Sequence, residues 1–279
     1  MEDFILSNGV RMPKIGYGTY LVEDDAGVSV VKAALDAGYR HIDTAAFYGN
    51  EEQVGQALAA SGLPRGELFV TTKVWRDALG YDRTMRSFEA SMQRLGLEQL
   101  DLLLLHWPTR EPGDPESPAL CLESWRACIE LYHAGRVRAI GVSNFLPHHL
   151  LPLLETEVSP MVNQIEFHPG YTQQATVDFC QAHNIQMAAW SPLGRARMLA
   201  DPLLTELAGR YGKTPAQICI RFALECGICP LPKSSSPERM RQNLEVFDFA
   251  LSPADFWRIA SLPPVGWSGL HPDRPRAAL

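Results

Sequence analysis

Short apolar runs alternate with stretches of helical periodicity along almost the whole chain, eight times over, and few folds accept such a pattern. Strands are expected at residues 15–18, 41–43, 68–74, 100–106, 137–142, 161–166, 186–190 and 228–231. Helices are expected between and after them at 25–37, 51–60, 82–95, 118–134, 147–155, 173–183, 215–225 and 237–246. Strands that each lead into a helix imply a parallel sheet covered by helices, because parallel neighbours need a crossover between them. Eight such units favour closure over an open doubly wound sheet, so the expected fold is α/β, a (β/α)8 TIM barrel. Phe4-Ile5-Leu6 and Val10-Arg11-Met12, on either side of Ser7-Asn8-Gly9, form an N-terminal hairpin. Two extra helices are expected at 203–211 and 253–262. No linker or shift in composition interrupts residues 1–279, which are expected to form one barrel domain. Its ends are the hairpin at 1–14 and a Pro- and Gly-rich tail at 262–279, which either edges a pocket or frays.

A net charge of −7 and a pI near 5.6 exclude a general nucleic-acid or membrane-surface binder, since tracking phosphates needs an excess of Lys and Arg. Any basic site must be local. Met1-Glu2-Asp3-Phe4 lacks the basic and apolar regions of a signal peptide, and the apolar run at 102–105 is far too short to span a bilayer. A cytoplasmic monomer is expected. Of the six cysteines, Cys226 and Cys229 form a CxxC that reads as a redox pair, half a zinc site or buried thiols. No second CxxC or His pair stands at zinc spacing, and the apolar neighbours Phe222, Leu224 and Ile228 favour buried thiols.

The densest signal is the segment from Gly38 to Gly55. Gly38 stops a helix, residues 41–43 form a strand, and Asn50 with Gln53 three residues later is an N-cap signature for the next helix. Asp43 therefore sits at the C-terminal end of a strand with Tyr48 on the following loop. Taken alone, a solvated loop Asp and a packing aromatic would explain them. Lys73 and His106, however, stand at the ends of the next two strands, and barrels collect their chemistry on that face. A phenol with a pKa near 10 is a poor acid at neutral pH, but an adjacent ammonium lowers that value. Lys73 is expected to do this for Tyr48. Asp43 would pair with Lys73, and His106 would hydrogen-bond a carbonyl oxygen beside Tyr48. These are the parts needed to polarise and protonate a carbonyl while a nucleophile attacks its carbon.

No side chain offers an obvious nucleophile, and no strand-linked GxGxxG is present, so a Rossmann reading is weak. Barrels bind phosphate with the loops after strands seven and eight. Here those loops are Ser191-Pro192-Leu193-Gly194-Arg195 and Lys233-Ser234-Ser235-Ser236-Pro237-Glu238-Arg239. Ser236 and Pro237 form an N-cap and N1 pair, so free backbone N–H groups, hydroxyls, Lys233 and Arg239 face one anion.

Five motifs now stand in order: Gly38-Tyr39-Arg40-His41-Ile42-Asp43-Thr44-Ala45 with Tyr48-Gly49-Asn50-Glu51; Leu105-His106-Trp107-Pro108; Gly141-Val142-Ser143-Asn144-Phe145; Asn163-Gln164-Ile165-Glu166; and Pro232-Lys233-Ser234 with Arg239 and Asn243. On these motifs the chain resembles the aldo-keto reductases over essentially its whole length. The resemblance implies an NADP-dependent oxidoreductase in which Tyr48 is the proton donor, Lys73 and Asp43 tune it, and His106 orients the carbonyl. NADPH would place its nicotinamide amide on Ser143, Asn144 and Gln164 and its ring on Trp190. Its pyrophosphate would meet Ser191, Leu193 and Gly194. Its 2′-phosphate would meet Lys233, Ser234 and Arg239, with Asn243 near the adenine. Thr19, Tyr20, Asp43 and Ser235 complete the implied cofactor contacts. Within the family the likeness runs toward bacterial 2,5-diketo-D-gluconate reductases, through the compact length, the Gly-Lys-Thr-Pro-Ala-Gln run at 212–217 and the short tail. Tyr20 stands where a Trp is common and Trp190 where a Tyr is common, and both keep an aromatic face.

Tyr20, Phe47, Trp75, His106 and Trp107 are expected around the substrate, although aromatics beyond strand ends also pack loops. His133, His148, His149, His168, His183 and His271 read as surface or loop residues, Glu166 reads as structural, and no metal is expected. The expected reaction is reduction of a small polar dicarbonyl or keto-sugar acid. A non-catalytic NADPH-binding, redox-sensing subunit is the alternative, which would not need Tyr48. A metal-dependent hydrolase using His41, Asp43 and His106 would need further ligands, where the strand ends offer Lys73, Ser143 and Trp190 instead.

Overall fold

A computed structural model describes residues 3–22 and 24–274 of the chain; the outer ends of the expected hairpin and tail, residues 1–2 and 275–279, lie outside the described residues. β1 (Asp3–Ile5) and β2 (Arg11–Pro13) form the expected antiparallel hairpin, with Gly9 at φ 85° in its turn. The eight strands that follow are β3 (Tyr17–Gly18), β4 (His41–Asp43), β5 (Phe69–Val74), β6 (Leu100–Leu105), β7 (Val137–Ser143), β8 (Val162–Glu166), β9 (Gln186–Trp190) and β10 (Cys229–Pro230). They pair in chain order and every pairing is parallel.

Backbone hydrogen bonds from Gly16 N–H to Pro230 O at 3.0 Å and from Gly18 N–H to Pro232 O at 3.2 Å join the first strand to the last. The seam is close. A Cβ on Gly16 would lie 2.6 Å from the Leu231 side chain and 2.8 Å from His41, so only glycine fits there. Pro230 and Pro232 carry no N–H, so β3 and β10 are shorter than the expected 15–18 and 228–231.

The covering helices are α1 (Asp24–Ala37), α2 (Glu51–Ala60), α3 (Tyr81–Leu95), α4 (Ser117–His133), α5 (Pro147–Leu154), α6 (Gln174–Ala182), α8 (Pro215–Glu225) and α9 (Pro237–Leu244). The two extra helices are α7 (Pro202–Tyr211), before α8, and α10 (Pro253–Ala260), after the barrel. From α7 onward each of these helices starts with a side-chain cap and then Pro at its first position: Asp201, Thr214, Ser236 and Ser252 accept the capping bonds. Asn50 differs from its expected role. It occupies the N-cap position of α2 without a side-chain capping bond. Its Nδ2 donates to Thr19 O at 2.8 Å and its Oδ1 accepts from Thr44 Oγ1 at 2.8 Å, tying the loop after β3 to the end of β4.

The tail is held over its described length. Ser268 N–H and Oγ donate to the two carboxylate oxygens of Glu166 at 2.9 and 2.6 Å, and Val265 N–H donates to Gly170 O at 2.9 Å. Glu166, expected to be structural, is the buried anchor that pulls this segment across the C-terminal ends of the strands. His168 beneath it is fully buried, not a surface residue.

Candidate active site

The parallel registers align Gly18 with Asp43, Asp43 with Thr71, Lys73 with Leu104 and Ser143 with Gln164, so the C-terminal ends of six strands face one space. A cavity of about 730 Å³ opens there. Its walls include the expected Tyr20, Asp43, Phe47, Tyr48, Trp75, His106, Trp107, Asn144, Gln164 and Trp190 at one end. Ser191, Leu193, Lys233, Ser234, Ser235, Arg239 and Asn243 lie toward the other. Thr19, Ser143 and Gly194 are buried just behind the lining. Thr19 Oγ1 donates to Asp43 O and Ser143 Oγ donates to Gln164 O, so each supports a residue that does face the space.

Lys73 is at the centre and is 1% exposed. Its Nζ donates to Asp43 Oδ1 at 2.5 Å, to Thr44 O at 2.9 Å and to Tyr48 Oη at 3.4 Å. An ammonium has three protons and accepts nothing, so all three are used. Because Lys73 donates to the phenol oxygen, the phenol's own proton is free to point elsewhere, into the cavity. Asp43 Oδ2 accepts from Gln164 Nε2 at 2.7 Å, which fixes the carboxylate between the lysine and β8.

The electrostatics differ from the expectation of a phenol tuned downward. Burial, then the negative charge of Asp43 and the neighbouring Tyr20, push the Tyr48 hydroxyl well above the usual phenol range. Lys73 is itself shifted down by burial, against which Asp43 and Glu51 act upward. Asp43 lies closer to Lys73 than the phenol does, so the ammonium's field goes mainly to the carboxylate. The phenol is therefore kept protonated. Burial, with the positive charges of Lys73 and Arg76, holds His106 well below the ordinary imidazole range, so it is neutral at physiological pH and able to donate or accept a hydrogen bond. Its ring lies edge-on to Tyr48, centroids 5.7 Å apart, and its backbone oxygen accepts from Asn144 Nδ2 at 3.0 Å.

The aromatic walls are packed on one another. Phe47 and Trp75 stack with centroids 3.8 Å apart, and Tyr20 leans on Tyr48 at 5.1 Å. Phe47 and Trp75 thus pack on each other and also line the cavity. Trp190 Nε1 donates to Asn144 Oδ1 at 2.8 Å, which orients the indole along the cavity floor.

At the far end α9 begins with Ser236 accepting from Arg239 N–H at 3.4 Å, and Lys233 Nζ donates to Ser235 Oγ at 3.0 Å. Lys233 and Arg239 are exposed, and among the described residues neither meets a carboxylate. Two unpaired cations beside the N–H groups of a helix start are an arrangement that can hold an anion. Beyond the sequence expectation, Arg195, Ala196, Thr214 and Gln242 also line the space. Arg195 lies over the Trp190 ring at 5.9 Å, and Ser191, Gly194, Arg195 and Ala196 all have positive φ, so the loop doubles back over the cavity. Arg195 was visible as the basic end of that loop; the other three come from helices and turns whose approach no local pattern indicates. The CxxC thiols stay free; Cys226 is pushed up to about 12 by burial, and Cys229 is buried and pushed higher, so neither is poised for redox chemistry.

The model of the Aldo/keto reductase family matches residues 14–263. The chain belongs to that family. It is an NADP-dependent oxidoreductase of the aldo-keto reductase type. It is 44% identical over 270 residues to the glyoxal reductase of Bacillus subtilis (strain 168), covering 96% of this chain and 95% of that one. Among solved structures, a mutant of Gox0644 in complex with NADPH is 40% identical and superposes with a TM-score of 0.90, covering 97% of each chain. The Bombyx mori aldo-keto reductase in complex with NADP is 33% identical with a TM-score of 0.84, covering 94% of this chain and 97% of that one.

Proposed function

We propose that this aldo-keto reductase reduces small polar dicarbonyls or keto-sugar acids, of the kind of methylglyoxal or 2,5-diketo-D-gluconate, with NADPH. The observation that carries it is the hydrogen-bonding of Lys73, which leaves the Tyr48 proton directed at an aromatic-walled space beside a neutral imidazole. NADPH fits the cavity because the two unpaired cations at the start of α9 ask for a phosphate at the end remote from Tyr48. Lys233, Ser234, Ser235 and Arg239 would hold the 2′-phosphate, Asn243 the adenine, and Ser191, Leu193 and Gly194 the pyrophosphate. Asn144 and Gln164, backed by Ser143 and Thr19, would take the nicotinamide amide, with Trp190 beneath the ring. The cofactor supplies a hydride to the carbonyl carbon.

The chain's residues manage the oxygen. His106 donates a hydrogen bond to the carbonyl and draws charge toward it. As the C=O electrons move onto oxygen, an alkoxide develops, and it is a stronger base than any phenolate. It takes the Tyr48 proton even though the phenol's pKa is raised, and the resulting phenolate sits 3.4 Å from the Lys73 ammonium. Keeping the phenol protonated until that moment is what the surrounding burial and Asp43 achieve.

The glyoxal reductase relative supports the dicarbonyl class. Leu270 of the tail joins Tyr20, Trp75 and Trp107 in lining the cavity, which supports small substrates. The test is NADPH oxidation across a panel of methylglyoxal, 2,5-diketo-D-gluconate, simple aldehydes and steroid ketones. The small dicarbonyls are expected to give the highest kcat/KM. Steroid ketones as the best substrates would overturn the assignment, and no turnover with any carbonyl would favour the NADPH-binding subunit.

A further inference from the structure

Folding gathers three histidines round one carboxylate outside the cavity described above. His148 and His149 stand in the first turn of α5, and Asp273 comes from the tail. Both ring Nε2 atoms lie 2.9 Å from the same oxygen, Asp273 Oδ1. The two rings sit side by side with centroids 3.9 Å apart. A third ring, His271, has Nδ1 3.8 Å from Asp273 Oδ2. Successive helical residues point about 100° apart, so helix geometry does not by itself turn both rings onto one atom. Nor does one carboxylate oxygen need two imidazoles. At an exposed site such pairing contributes little, while His148 gives up its rotamer freedom.

We propose that His148, His149 and Asp273 form a site for a divalent transition-metal cation of the Zn²⁺ class. Their three donor atoms already lie within 4.8 Å of one another. In a tetrahedral zinc site with bonds of about 2.0–2.1 Å, donors stand roughly 3.4 Å apart, so each nitrogen has to retreat from Asp273 by only about half an ångström. Two imidazoles and one carboxylate suit Zn²⁺, Ni²⁺ or Cu²⁺; Mg²⁺ and Ca²⁺ take oxygen donors. His271 or water completes the coordination. The exposed face of His148 leaves the entry path open.

Binding moves a proton. Leu146 N–H donates to His149 Nδ1 at 3.1 Å, which puts the proton of the neutral ring on Nε2. When the cation takes Nε2, that proton transfers to Nδ1, and the bond from the Leu146 N–H is given up. The site also joins two elements. Thr109 Oγ1 donates to Pro272 O at 2.8 Å, and Leu270, three residues before Asp273, lines the cavity. A cation here clips the tail to α5 and holds that wall of the cavity in place.

The experiment titrates tag-free full-length protein with Zn²⁺ in competition with a chromogenic chelator, with Mg²⁺ as the control cation. His148→Asn and Asp273→Asn are titrated alongside, and thermal melts establish that both fold. One Zn²⁺ per chain is expected, held at least ~10-fold more weakly by either folded variant, with no uptake of Mg²⁺. The absence of saturable Zn²⁺ uptake by the intact chain, or uptake that neither variant weakens, would overturn the proposal. The titration needs no turnover, so a wrong assignment of the carbonyl substrate leaves its outcome intact.

Discussion

Lys73 brings three ammonium protons to a buried position and finds three acceptors, one of which is the Tyr48 hydroxyl. That arrangement gives Tyr48→Phe a clear outcome. The ring and its packing against Tyr20 remain, so thermal stability and NADPH affinity are expected to change little, while turnover falls by about 10² to 10⁴, the usual contribution of a general acid. Lys73→Met is expected to lower turnover as well, and the double variant to lose less than the product of the two, because both act on one proton. The pH profile carries the same signature. Tyr48 donates only while protonated and its pKa is raised, so the rate of reduction is expected to persist through neutral pH and fall only as pH rises beyond the ordinary phenol range. His106 is held neutral and contributes no acidic limb near 6.5. Near-normal turnover of a folded, NADPH-saturated Tyr48→Phe, or a limb near 6.5 in the intact enzyme, would move the acid role away from the phenol.

Among the elements, α9 states its role most openly. Ser236 caps it, Pro237 starts it, and Lys233 and Arg239 flank the start without a carboxylate partner among the described residues. A charged hydrogen bond to a phosphate contributes on the order of 1.5–3 kcal/mol. Arg239→Ala is therefore expected to weaken NADPH by roughly ten-fold or more and to leave NADH nearly unchanged, as read by fluorescence titration of both cofactors. Equal loss for the two would show that Arg239 supports the loop and does not meet the 2′-phosphate. The seam between β3 and β10 is the quieter case. The closeness of Leu231 and His41 behind Gly16 appears only once the last strand has come round to the first.

At the scale of the molecule the tail is the element that the barrel recruits. Glu166 at the end of β8 takes both donors of Ser268, and Leu270 then forms part of the cavity wall. Removing residues 268–279 is expected to change the KM of the carbonyl substrate several-fold while NADPH affinity holds, since the described cofactor-end residues come from other segments. Steady-state kinetics with a paired NADPH titration checks this, and an equal loss of both would place the tail in the support of the whole site.

Local chemistry is what the sequence by itself determined. The alternation of apolar runs and helices implied the barrel, the Ser236-Pro237 pair marked where the last barrel helix starts, and Asp43, Tyr48, Lys73 and His106 could be collected at or beside strand ends because parallel strands bring those ends to one face. Interactions set by distance in space were decided only by the tertiary structure. Asn50 looked like a cap because a cap is a local pattern, yet its partners Thr19 and Thr44 lie on two different strand ends. The direction of the Tyr48 shift was set first by burial and then by the charge of Asp43, while the lysine lies 0.9 Å nearer to that carboxylate than to the phenol, 2.5 against 3.4 Å, and no spacing of residues encodes any of this. His148 and His149 read as surface or loop residues for the same reason: the carboxylate of Asp273, 125 positions after His148, joins them only when the tail is laid across the strand ends.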